Sequence, residues 1–188
     1  MLDVRSSGTP IPHHKATKTQ YGRDETGQAE SGKVGVLASS FIPPPSSFPL
    51  VVHSATFEVS TQGFGDVIDV TAQVVASVEK SGVRNGIVCI ANPGSTAGIT
   101  TIEFEPGAVA DLKEALEKLA PANARYHHND TRDDGNGFAH LRSALIGASQ
   151  SFPVRDGKVA LGTWQQIVFL DFDNRPRRRK LVVTVVGD

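Results

Sequence analysis

Seven short runs of strand character are set among only two or three segments of helical period, and that ratio constrains the fold more than any other feature. The run "HSATFEVST" alternates apolar and polar residues, placing Ala55, Phe57 and Val59 on one face. "GIVCIA" reads as a buried strand, and "GITTIEF" follows it after the turn "NPGS". "SQSFPV", "KVAL", "WQQIVFLDF" and "KLVVTVV" complete the set, joined by the turns "RDG" and "DNRPR". The clearest helix is "PGAVADLKEALEKLA", where Val109, Leu112, Leu116 and Leu119 recur at spacings of three and four; Pro106 suits its first turn and Pro121 ends it. "IDVTAQVVASVEKSG" predicts a second helix, with Thr71 placed to cap it and Gly82 to stop it, and "AHLRSALIG" a third, short one. Strands with a few inserted helices and no regular alternation predict an α+β fold with mainly antiparallel pairing.

The chain divides by composition near residue 50. Residues 1–50 are rich in Ser, Gly, Pro, Thr and Lys and carry "IPPPSSFP", so they are expected to form an extended or disordered extension ahead of a single domain over 51–188. His13 and His14 in that segment read as solvated residues of a tail. A net charge of −1 on 188 residues argues against nonspecific nucleic-acid binding. The one cysteine, Cys89, excludes an internal disulfide framework and is the usage expected of a reducing cytoplasm. No run reaches the roughly 18 apolar residues of a membrane span, and the N-terminus has no secretory-signal pattern.

One stretch has neither period. "YHHNDTRDDGNGFAH", residues 126–140, is expected as a loop, and "DDGNG" supplies the turn residues for a reversal that allows His128 and His140 to meet at one point. Imidazoles beside Asp and Asn oxygens suit a divalent metal, and equally an anionic substrate. His140 is expected at the N-terminus of "AHLRSALIG", where free backbone N–H groups favour an anion. The spacing matches no zinc-finger or HExxH pattern, so metal, anion and a plain solvated loop all remain open.

Three stretches in this order, "STAGITTIE", "YHHNDTRDDGNGFAHLRSALIG" and "GKVALGTWQQIVFLDFDNRPRRRKLVVTVVGD", closely resemble the YjbQ family, also called the secondary thiamine-phosphate synthase enzymes. "LGTWQQI" is the most specific of the shared motifs, and the likeness runs from about residue 52 to the end. The resemblance implies an α+β fold in which a β-sandwich of mainly antiparallel strands carries two or three helices, and assembly into a homotrimer with sites near subunit boundaries. It also implies a histidine cluster that holds a metal or an anion, and a weak activity joining an aminopyrimidine diphosphate to a thiazole phosphate.

Carried over residue by residue, the family's two loop histidines fall on His128 and His140, its glutamate on Glu103, and its "GTWQ" element on Gly162, Thr163, Trp164 and Gln165. Many members have a histidine where this chain has Gly94, so His127 or a carboxylate such as Asp134 fills the vacant place, or the loop serves an anion instead. Gly94, Ser95 and Thr96 suit the latter, because a glycine turn exposes N–H groups and the hydroxyls add donors. The expected site is therefore His128, His140 and Glu103 as catalytic groups; Gly94, Ser95, Thr96, Asn136, Trp164 and Gln165 around the substrate; and His128, His140 and Asp134 for zinc or magnesium. Magnesium would prefer carboxylate oxygens such as those of Asp133 and Asp134, zinc the imidazoles.

"NRPRRRK" reads either as a contact for phosphates or as a solvated hairpin tip. Trp164 reads either as a stacking platform or as a core or interface residue. The expected partner is a phosphorylated small molecule. The competing activities are a transferase of the thiamine-phosphate synthase type, a non-catalytic binding protein, and a metal-dependent phosphoesterase.

Overall fold

A computed structural model describes residues 50–188, which fall within one unit of the chain, Pro45–Asp188. The expected extension over 1–50, with His13 and His14, lies outside the described residues apart from Leu50. Along the chain come β1 (Val51–Thr61), β2 (Asp66–Asp69), α1 (Thr71–Ser81), β3 (Gly86–Ala91), β4 (Ala97–Ile102) and α2 (Pro106–Leu119). There follow α3 (His127–Thr131), α4 (Gly137–Ile146), β5 (Ser149–Arg155), β6 (Lys158–Val159), β7 (Gln166–Asp171) and β8 (Arg177–Gly187). The strands form a five-stranded sheet in the order β1-β8-β3-β5-β6 and a three-stranded sheet in the order β2-β7-β4. Every pairing is antiparallel, as the sequence pattern predicts.

The continuous apolar run of β7 follows from its place between two cores. Ile167 and Phe169 face the five-stranded sheet and pack with Val88, Ile90, Leu181 and Val183 and with Val74 and Val78 of α1. Val168 and Leu170 face the other way, against Leu116 of α2 and Phe138 and Ala139 of α4. A strand covered on both faces has no use for alternation, which is why "IVFL" is uniformly apolar. The layers are thus five-stranded sheet, three-stranded sheet, and the pair α2 and α4.

Local chemistry sets the element ends. Pro106 opens α2, and the Glu105 side chain caps it by accepting from the backbone N–H groups of Gly107 and Ala108. These bonds hold the exposed Glu105 carboxyl below the usual range. Gly82 ends α1 in the left-handed region at φ 70.

Four expectations need correction. Thr71 does not cap α1: it is the first helical residue, Asp69 Oδ1 accepts from its N–H at 2.8 Å, and its own hydroxyl accepts from Ile167 N–H at 2.8 Å, tying the helix to β7. Four helices are present among the described residues rather than two or three, because His127–Thr131 closes a single helical turn inside the run expected to be a loop. The strand around "WQQIVFLDF" starts at Gln166, since Gln165 is spent closing the preceding turn, where its N–H donates to Gly162 O and its Oε1 accepts from Gly162 N–H. The basic run is no hairpin tip: Arg177 to Lys180 open strand β8. No helix among the described residues is long and apolar enough to cross a membrane.

Candidate functional site

The space between the sheets changes character along β7 and β8. On β8, Leu181, Val183 and Val185 face the core, so Arg179 and Arg177 point the same way. On β7, Ile167 and Phe169 are followed at the same parity by Asp171, and then by Asp173 just beyond the strand. The apolar core therefore ends in two buried carboxylates facing two guanidinium groups. Arg179 meets Asp171 through Nε and Nη2 at 2.7 and 2.6 Å, and Nη2 also reaches Thr96 Oγ1 at 2.9 Å and Asp173 Oδ2 at 3.3 Å. Arg177 donates from Nε to Asp173 Oδ2 at 2.6 Å, and Thr61 donates its hydroxyl to Asp171 Oδ2 at 2.5 Å. Burial pushes the Asp173 carboxyl up, but Arg177, the Asn174 N–H and Asn136 outweigh it and hold the group below its ordinary range. Burial likewise lowers the Arg179 value, and Asp171 more than restores it, so that guanidinium stays charged.

The histidine loop folds onto this end. Asn129 of α3 accepts from Gly137 N–H at 3.0 Å and so caps α4, and only glycine fits at 137, where a Cβ would lie 2.5 Å from the Tyr126 Cβ. Through that docking the His128 and His140 rings come to 4.3 Å between centroids, tilted by 44°. His128 Nε2 lies 3.3 Å from Asp134 Oδ1, whereas His127 is 98% exposed and faces Asp130 at 3.6 Å. Asp134, not His127, is therefore the neighbour of the histidine pair. Because α4 begins at Gly137, His140 stands on the fourth residue of the helix and its own N–H is already bonded to Asn136 O at 3.4 Å. The expected free N–H at His140 is absent.

The donors come instead from the turn before β4. Among the described residues, the backbone N–H groups of Gly94, Ser95 and Thr96 find no acceptor. A Cβ at position 94 would lie 3.2 Å from the Asn92 amide and 3.4 Å from Arg179 Nη1, which places that guanidinium nitrogen against the turn. Gly94, Ser95, Thr96, Asp134, Asn136 and His140, together with Pro93, Asp173, Arg177 and Arg179, line one cavity of about 540 Å³.

Three expected residues lie elsewhere in the chain. Glu103 is exposed just past the far end of β4, and Trp164 is 70% exposed in the turn before β7. Gln165 donates to Thr101 Oγ1 at 3.2 Å. The register pairs Gln166 with Ile102 at that end and Asp171 with Ala97 at the cavity. Five strand steps separate the two groups, roughly 17 Å. Conversely, sequence reasoning passed over Asp171 and Asp173 and left Arg177 and Arg179 undecided. The signal was present: a carboxylate inside "IVFLDFD" is a buried charge needing a partner, and the two arginines share one strand face.

The donor chemistry bears on the metal. Among the described residues no group of three or more His, Cys, Asp or Glu side chains is placed to hold a metal ion. His128 and Asp134 form a pair, and His140 adds a ring tilted against that of His128, which falls short of the three converging protein ligands of a catalytic zinc site.

Fold and site define an antiparallel α+β domain with a polar, arginine-backed cleft at one end of a two-sheet core. The chain belongs to the family of UPF0047 protein YjbQ-like proteins, whose pattern matches residues 55–188. A UPF0047 protein of Methanocaldococcus jannaschii is 38% identical over 133 residues, 70% of this chain and 93% of that one. The UPF0047 protein YugU of Bacillus subtilis is 35% identical over 133 residues, 70% and 98% of the two chains. The crystal structure of a YbjQ-like protein of unknown function from Sulfolobus solfataricus superposes with a TM-score of 0.71 at 35% identity, covering 74% of this chain and all of that one.

Proposed function

We propose that this protein binds a phosphorylated small molecule in the cavity between the Gly94–Thr96 turn and Arg177, and that thiamine-phosphate synthase chemistry is a weak, secondary activity of that site. The observation that carries the reading is the turn itself: three successive N–H groups without an acceptor among the described residues, backed by guanidinium groups that buried carboxylates hold in place. Donors without a partner suit an anion, because taking one up breaks no hydrogen bond among the described residues.

In the secondary reaction, the bond between the pyrimidine methylene carbon and the diphosphate oxygen breaks as the thiazole nitrogen bonds to that carbon. The bonding electrons leave with pyrophosphate, so the step needs charge stabilisation rather than proton transfer. Arg177, the turn N–H groups and the His140 ring would supply it. The test is mass-spectrometric detection of thiamine phosphate from the two precursors. Formation that falls sharply in His128→Ala and His140→Ala supports the activity, and equal rates in both variants reject it.

The lone, unpaired Cys89 supports a reducing compartment, the cytoplasm. The open face of the five-stranded sheet supports self-association, a homotrimer being the form the family likeness implies. Its first three rows are Val52, Val186, Ile87 and Pro153; Ser54, Thr184, Cys89 and Ser151; and Thr56, Val182, Ala91 and Ser149. Val52 and Ile87 are 64% and 56% exposed, and none of the twelve residues is charged.

A further inference from the structure

The phosphate cavity does not end at Asn136. A second cavity of about 380 Å³ lies beyond it, lined by Asp133, Asp134, Asn136, Asn174, Arg175 and Arg177. Asp134, Asn136 and Arg177 line both, so the two form one cleft with a shared waist. At that waist Asn136 is only 5% exposed, and its Oδ1 has no hydrogen-bond partner. The orientation of the amide is set, because Nδ2 faces the Asp173 carboxylate at 3.5 Å. A buried acceptor left unpaired carries a desolvation cost of about 1–3 kcal/mol until a donor arrives.

A phosphate dianion cannot be that donor, since its oxygens only accept. Neither can it satisfy the carboxylates of Asp133 and Asp134 in the second cavity. A hydroxyl both donates and accepts, so a chain or ring of hydroxyls suits a wall that alternates carboxylate, amide and guanidinium. A flat heteroaromatic ring would ask for something else, an apolar or aromatic face on which to stack. Apart from the His140 imidazole, neither cavity is lined by an aromatic residue, and Trp164 lies at the far end of β7.

Taking the phosphate reading as its base, we infer that the physiological ligand is a polyhydroxylated phosphate ester, a sugar or polyol phosphate. Its phosphate lies against the Gly94–Thr96 turn and Arg177, and its hydroxyls pass Asn136 into the cavity of Asp133 and Asp134. The aromatic reaction is secondary because the cleft lacks a stacking surface for it.

Isothermal titration of the full chain with inorganic phosphate, ribose 5-phosphate and phenyl phosphate tests this. Ribose 5-phosphate is expected to bind at least about tenfold more tightly than either of the others, the gain of one or two hydrogen bonds to groups otherwise unpaired. Asp133 is exposed on a loop, so Asp133→Ala keeps the fold; it is expected to erase that preference and leave inorganic phosphate binding unchanged. Phenyl phosphate or inorganic phosphate binding as tightly as ribose 5-phosphate overturns the ligand class while the phosphate site stands. A preference that persists in Asp133→Ala overturns the placement of the hydroxyls. Failure of all three probes to bind overturns the phosphate reading and this inference together.

Discussion

Asp171 and Arg179 meet through two parallel hydrogen bonds, Nε to Oδ2 at 2.7 Å and Nη2 to Oδ1 at 2.6 Å, with the carboxylate fully buried and the arginine side chain 12% exposed. The pair stands where the apolar layer between the sheets ends and the cleft begins. It joins the two sheets there and aims the rest of the guanidinium at the Gly94 turn. Removing Asp171 leaves the buried Arg179 guanidinium with only its longer carboxylate contact, to Asp173 at 3.3 Å. Asp171→Ala is therefore expected to lose about 3–5 kcal/mol in urea unfolding. A loss below about 1 kcal/mol would mean that Arg179 finds water in the variant and that the pair does not hold the sheets.

Acid should weaken the same end of the molecule. The folded Asp173 value lies below that of the unfolded chain, so its contribution is full above the ordinary carboxylate value of about 3.9 and is lost as pH falls through the lowered folded value. Thermal unfolding followed from pH 6 down to pH 2 is expected to show the midpoint falling below about pH 4. The fall should be shallower in Asp173→Asn, and parallel curves for the two proteins would remove Asp173 from the account.

Much of the layering was legible in the sequence, and the reasons are local. The alternation of "HSATFEVST", the spacing of Leu112 and Leu116 and the uniform run before Asp171 each report what one segment buries. The meeting of His128 and His140 was legible as one open reading, because "DDGNG" supplies the residues of a chain reversal. What was hidden depends on register between distant segments. That Arg179 faces Asp171 follows from β8 and β7 lying in different sheets across one core, 8 residues apart yet opposed. The short helix α3 was hidden because its five residues carry no period, and Asn129 and Gly137 fix it only by contact with one another.

Trp164 offers a test of where the cleft stops. Because it lies beyond Gln166, itself five strand steps from Asp171, Trp164→Phe is expected to leave phosphate-ester binding unchanged within twofold by titration. A tenfold loss would show that a neighbouring copy brings its Trp164 to the cleft.

The uncharged sheet face makes a separate prediction. Thr184 sits at its centre, across from Ser54 and Cys89, and Thr184→Glu would place a charge in each buried copy of that face. Light scattering after gel filtration is expected to report an oligomer for the native chain and a monomer for the variant. An identical mass for both would move the interface elsewhere.

The proposed phosphate site of the Gly94–Thr96 turn and Arg177 works without a bound metal. It is tested most directly by titrating pyrophosphate into the full chain after dialysis against EDTA, beside Arg177→Gln with its fold checked by circular dichroism. Saturable binding at one site per chain, weakened about tenfold or more by the substitution as expected for a lost charged hydrogen bond, is the predicted result. No binding after EDTA, or equal binding in Arg177→Gln, would contradict it.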